Sequence, residues 1–155
     1  MQCINNPLKI PLPHPNTFAG LMELYENNYI KLKKLCGDFN VLNEVSVSTI
    51  NHGMDLYLQV IERTKYTVTI NLTYRFDKKL YQDESKYPNL VIRIYFDAMQ
   101  AEVMQRVVRK GPRNHTLGCH LKSKWRDNRF LFKWLSFCLR QGHEFKPNLP
   151  QSLCT

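Results

Sequence analysis

The sequence predicts an α+β fold: an antiparallel sheet of about five strands, ordered as a meander, covered on one face by an N-terminal and a C-terminal helix. Three observations predict it. Apolar residues recur every three or four positions near both ends of the chain, they alternate through the middle, and short connections join the alternating segments. A chain of 155 residues is one domain. At that length roughly 70% of the unfolded surface is buried on folding, enough for a core without disulfide or metal. The expected divisions are an extended, proline-rich arm over 1–15, a single α+β domain over 16–144 and a flexible tail over 145–155.

The arm, MQCINNPLKIPLPHP, holds four prolines, which forbid a helix, and it lacks the unbroken apolar stretch of a secretory signal. Asn16 is placed to cap the first helix, where Phe18, Leu21, Met22, Tyr25, Tyr29, Leu32 and Cys36 form one apolar face and Gly37 supplies the stop. The period then becomes two. VLNEVSVSTI (41–50) and MDLYLQVIE (54–62) flank the turn Asn51-His52-Gly53. YTVTINLTYRF (66–76) alternates strictly, with Tyr66, Val68, Ile70, Leu72, Tyr74 and Phe76 on the packed side.

After a polar connection (77–88), LVIRIYF turns Leu90, Ile92, Ile94 and Phe96 inward, and AEVMQRVV (101–108) reads as its return. A basic loop, RKGPRNHTLGCHLKSK (109–124), precedes the last helix, SKWRDNRFLFKWLSFCLRQ, which Gly142 ends. The wide apolar surface of that helix predicts deep burial.

Charge is distributed unevenly. Residues 1–97 carry 11 Lys and Arg against 10 acids; residues 98–155 carry 11 against three, Glu102, Asp127 and Glu144. Such asymmetry points to an acidic partner, nucleic acid first, or to a solvated basic surface. The candidate contacts are Arg109, Lys110, Arg113, Lys122, Lys124, Arg126 and Arg129, with His115 and Trp125 as stacking surfaces, unless Trp125, nine residues before Trp134 on a mostly apolar helix, belongs to the core.

His115, Cys119 and His120 are zinc-ligand types, but their spacing matches no standard site and no fourth ligand accompanies them, so no metal is expected. No phosphate-cradling glycine loop or dinucleotide fingerprint is present, and no cofactor is expected. The cysteines, Cys3, Cys36, Cys119, Cys138 and Cys154, are odd in number and lack CxxC spacing, which reads as free thiols in a reducing cytoplasm. No apolar run is long enough to span a bilayer.

Three carboxylates invite attention. Asp97 and Glu102 face each other across the corner of IRIYFDAMQAEV (92–103). A carboxylate pair can act as acid and base when its environments push the two pKa values apart. A wet corner gives no such push, and Asp is a common turn-opening residue, so a polar hairpin with Glu102 paired to Arg93 or Arg106 is the simpler reading. Glu62 continues the inward alternation of Leu56, Leu58 and Val60, which predicts a buried, hydrogen-bonded glutamate unless a bulge at Arg63-Thr64-Lys65 flips the register.

YLQVIERTKYTVTI (57–70), IRIYFDAMQAEV (92–103) and NRFLFKWLSFCLRQGHE (128–144), together with LMELYENNYIKLKKL (21–35), resemble the YqiB-like family of small proteobacterial proteins, a domain of unknown function. The likeness covers most of residues 18–144 in the same order. It implies a bacterial cytoplasmic protein with no assigned activity. The polar residues that carry it are Glu62, Lys65, Tyr66, Thr67, Arg93, Tyr95, Asp97, Glu102 and Asn128. The mostly basic LKSKWRD departs from the resemblance, whose members tend to be acidic just before the last helix. The expectation is a non-catalytic binding or regulatory module engaging nucleic acid through the basic loop and the start of the last helix. A protein adaptor using the sheet face is the alternative, and an enzyme using Glu62, Asp97 or Glu102 the third. Nothing in the sequence specifies an oligomeric state.

Overall fold

A computed structural model describes residues 17–75, 88–106 and 117–145. Helix α1 (Phe18–Cys36) is followed by a single 3₁₀ turn (Phe39–Val41) and strands β1 (Val45–Ser48), β2 (Asp55–Arg63), β3 (Thr67–Arg75), β4 (Asn89–Tyr95) and β5 (Gln100–Arg106). Helix α2 (Leu117–Gln141) is the last described element. The strands form one antiparallel sheet in the order β1-β2-β3-β4-β5, the predicted meander. The arm, the 77–87 connection, the start of the basic loop and the tail beyond Phe145 lie outside the described residues.

Helix α1 covers the expected segment, FAGLMELYENNYIKLKKLC, and differs only in its cap. Thr17, not Asn16, is the cap, its Oγ1 accepting from the Gly20 amide at 3.1 Å. Gly37 ends it with φ 69°, a value open to glycine, and donates its amide to Lys33 O. Phe18, assigned to the apolar face, is exposed, while Leu24 and Leu35 are fully buried with Leu21, Tyr25, Leu32 and Cys36.

The core lies between one face of the sheet and the two helices. Leu56, Leu58, Val68, Ile70, Leu72, Leu90, Ile92, Ile94, Leu131 and Leu135 are fully buried in it. The alternation within β2, β3 and β4 accounts for the strand residues. A second cluster of Leu21, Leu24, Tyr25 and Trp125 joins the N-terminal halves of the helices. Of the two roles open to Trp125, stacking surface or core, the structure has the core: its indole donates to Thr17 O at 3.0 Å.

Four further boundaries moved. β1 is only four residues long, because Phe39–Val41 wind into the 3₁₀ turn, capped by Asp38. Arg63 holds that turn by donating to Phe39 O at 2.9 Å and to Leu42 O. Tyr66, assigned inward, lies exposed in the turn before β3. The register shifts between Val60 and Glu62, leaving Ile61 as an extra residue. Glu62 is thereby turned outward and exposed, by a bulge placed earlier than the expected one at Arg63-Thr64-Lys65. Finally, α2 starts at Leu117 rather than Ser123, so Cys119, His120, Lys122 and Lys124 belong to the helix and not to a loop.

Helix α2 crosses the whole sheet. Lys124 and Asn128 meet β5, Cys138 Sγ lies 3.1 Å from the Tyr74 hydroxyl of β3, and His143 Nδ1 lies 2.9 Å from Ser48 Oγ of β1. Ser48 Oγ also accepts from the Glu144 amide, and the Phe145 amide donates to Leu35 O. The buried body therefore extends through Phe145. Burial pushes the Cys36 thiol up to about 12 and Cys138 to about 11, so both are packing residues without thiolate character.

Burial also lowers the pKa of His143, with the Ser48 bond and Asp55 acting against it. The native state therefore holds this imidazole neutral, while the unfolded chain binds its proton near pH 6.5. Stability from this group is complete above that pH and falls as pH drops below it. Denaturant titrations between pH 7.5 and 5 should show this decline, and His143→Gln should flatten it; an unchanged slope would contradict the assignment.

Candidate functional site: the outer sheet face and the outer face of the last helix

The polar residues of the middle motifs converge at one end of the sheet. Pairing aligns Glu62 with Thr69, Thr69 with Arg93, and Arg93 with Glu102, one row across four strands. Paired residues of an antiparallel sheet share a face, and these alternate with the core residues, so the row lies on the face turned from the core. Thr67, Tyr95 and Gln100 make the next row. The turns after β2 and β4 sit side by side, tied by the Phe96 amide to Tyr66 O at 2.9 Å. Those turns carry Lys65, Tyr66 and Asp97.

Most of this set has a structural role. Thr67 closes its turn through Thr64, with hydroxyl oxygens 2.7 Å apart. Asp97 opens the β4–β5 turn, accepting from the Ala98 amide at 2.9 Å, and it is exposed. Lys65 lies over the Tyr66 ring, 5.2 Å from its centroid.

Glu102 is the most heavily engaged. Tyr95 donates to its Oε1 at 2.6 Å and the Lys124 ammonium lies 3.4 Å from its Oε2. Burial, then the Glu102 charge, raises the Tyr25 pKa; burial and the Glu102 hydrogen bond raise that of Tyr95. Both phenols are held as donors to the carboxylate. Glu102 faces Arg93 in register, yet its ion pair is with Lys124. Arg93 donates to Thr69 Oγ1 at 3.3 Å, touches Tyr95, and has no carboxylate within ion-pair distance among the described residues. The Asp97–Glu102 pair is thus divided between a turn and a satisfied cluster.

Asn128 is fully buried and bonds three ways. Its Oδ1 accepts from the Val103 amide at 2.9 Å, its Nδ2 donates to Lys124 O at 2.8 Å, and its carbonyl accepts from Asn28 at 3.1 Å. Lys124 Nζ reaches Val103 O at 3.4 Å. The outer edge of β5 is thereby paired to helix side chains, and α1 is tied to the same point.

The predicted basic contacts separate. Lys124 faces inward to Glu102, whereas Lys122, Arg126 and Arg129 are exposed. Lys133 and Arg140, missed by the sequence reading, continue the series. At 100° per residue these five cations fall within an arc of about 60°, along about 27 Å of helix. The spacing at i, i+4, i+7, i+11 and i+18 was legible once the helix was taken to start before Lys122. Exposed Phe137 borders the arc, and Asp127, the one acid of α2, is buried well off it, with its Oδ1 3.9 Å from Arg126 Nε. Arg109, Lys110, Arg113 and His115 lie outside the described residues.

Among the described residues no three His, Cys, Asp or Glu side chains stand together as a metal site, and no helix is long and apolar enough to cross a membrane.

The chain matches the DUF1249 family, described as a protein of unknown function, over residues 31–144. It belongs to that family. The uncharacterized protein YqiB of Escherichia coli, in strains K12, O6:H1 and O157:H7, is 30% identical over 130 residues, covering 81% of this chain and 90% of the relative. No solved structure matches. Within this DUF1249 chain the family-matched segment contains β1 to β5, all of α2 and only the end of α1, from residue 31. The Glu102 cluster and the Asn128 lock both close within it, Tyr25 and Asn28 excepted.

Asn128→Ala leaves the buried Val103 amide without its acceptor and should lower stability by about 3 kcal/mol. Lys122→Ala, on the exposed face, should stay within about 0.5 kcal/mol. Urea unfolding measures both, and a cost below about 1 kcal/mol for Asn128→Ala would remove it from the account.

Proposed function

We propose that the chain is a non-catalytic binding module that engages single-stranded nucleic acid through the outer face of α2. The observation that carries this reading is the exposed arc of Lys122, Arg126, Arg129, Lys133 and Arg140, with no acid on it. Five cations on a rigid rod can follow a phosphate backbone, and Phe137 offers a flat apolar ring beside them for a base. Arg109, Lys110 and Arg113 precede this helix in the sequence and extend the basic character toward its start. The carboxylates support a non-catalytic role: Glu102 is occupied by Tyr95 and Lys124, and Asp97 by its turn.

A second reading is a protein adaptor using the outer sheet face. It is favoured by one observation, the Arg93 guanidinium, which has no carboxylate partner among the described residues. The two readings use opposite sides of the domain and separate by mutation.

Fluorescence anisotropy with short mixed-sequence RNA and DNA across a salt series tests the first. Binding should weaken with a log–log salt slope of about −2 to −3.5, as expected for three to five phosphate contacts on a single strand. Lys122→Glu with Arg126→Glu should weaken binding at least about tenfold and make the slope shallower by about 1.4. Arg93→Glu should leave it unchanged. No binding at about 50 mM salt, or binding indifferent to the α2 substitutions, would contradict the proposal.

A further inference from the structure

The two edges of the sheet are finished differently. α2 closes β5 through Asn128 and Lys124. β1 is the other edge, and no described strand or side chain pairs with its outer main-chain groups. The direction of those groups follows from one bond. The Val60 amide donates to Glu44 O at 2.8 Å, so Glu44 points at β2, as do Ser46 and Ser48 by alternation. The amides and carbonyls of Val45 and Val47 point outward, and their side chains are 60% and 47% exposed. Edge strands are usually blunted by lysine, proline or a bulge. β1 is short, which itself limits an edge, but the run VSVSTIN (45–51) has no lysine, proline or charge, and β1 pairs with β2 without a bulge.

We propose that β1 docks a second copy of this chain, the two β1 strands pairing antiparallel across a two-fold axis into one continuous ten-stranded sheet. Symmetry and register fit this occupant. A two-fold contact must be self-complementary. Paired residues must share a face, and hydrogen-bonded pairs must both point outward. An axis through Ser46 satisfies both conditions. Val45 of each copy then faces the other copy's Val47, which gives four main-chain hydrogen bonds. It also brings the four valines together on the outer face. Ser46 meets itself as a non-hydrogen-bonded pair. A strand pair this short buries less than the ~1,000 Å² of a stable interface, so the dimer is weak, with a dissociation constant on the order of 100 μM.

Sedimentation equilibrium of the full chain tests this. The wild type should dimerise with concentration. Val47→Pro deletes an outward amide without touching the β1–β2 ladder, and Val45→Lys places a charge on the axis-facing side. Each should weaken association at least about tenfold, with circular dichroism and thermal unfolding confirming the fold. If either variant unfolds, Ser46→Cys decides. A non-hydrogen-bonded pair about 4.5 Å apart is within disulfide reach, so this variant should give a reducible dimer that the wild type does not. A chain monomeric to about 1 mM overturns the proposal. So does association that both β1 variants retain, loss on α2 charge reversal alone, or an edge that takes an extended peptide while remaining monomeric.

Discussion

The Asn128 side chain fixes the position of the last helix. A helix can cover a sheet at many angles, and apolar contacts alone choose weakly among them because the hydrophobic effect has no direction. A buried amide bonded to the Val103 N–H at the edge of β5 removes that freedom. From there the helix can only run across the sheet, over Tyr74 on β3, to His143 and Ser48 on β1. Asn28 brings the first helix to the same point, and Phe145 bonds back to its far end. The two helices and both outer strands are thus set by a few polar contacts around a core that would otherwise tolerate sliding.

That placement decides which surfaces remain. The inward side of α2 is consumed by Trp125, Asn128, Leu131, Trp134, Leu135 and Cys138. Its cations are left to solvent, except Lys124, which is drawn under to Glu102. The half-buried Lys124–Glu102 pair gains most of its worth from the tyrosines that complete the carboxylate's hydrogen bonding, since a partly desolvated pair is costly without them. One edge of the sheet is sealed by the same contacts; the other, β1, has no partner among the described residues. The basic face, the outer sheet face and the open edge therefore all follow from where one helix sits.

Much of this was legible in the sequence. Strict alternation in residues 67–75 and 89–95 identified the central strands, because both alternate between a buried apolar face and a partly buried, mostly polar one, on which, among the described residues, Thr69 alone is buried. The meander order followed from short connections. Glu62 was misplaced because a bulge adds a residue without any sign in composition: Ile61 is apolar and reads as strand, yet it is exposed. Tyr66 was misplaced because an aromatic at a strand end looks like core until the turn is known. A loop assignment for Lys122 hides its helical series with Arg126, Arg129, Lys133 and Arg140, whereas the nine-residue spacing of Trp125 and Trp134 on one apolar helix already allows a core role for Trp125. Asn128 was singled out by resemblance alone. An asparagine on an apolar helix gives no indication of an unpaired amide on a distant strand until both are placed.

The sealing of β5 is the contact on which the rest depends, and residue-resolved native-state hydrogen exchange reports it directly. The account predicts that the Val103 amide, although on an edge strand, exchanges as slowly as the interior amides of β3, and that Asn128→Ala releases it selectively. A Val103 amide that exchanges as fast as an unpaired edge amide in the wild type would contradict the account.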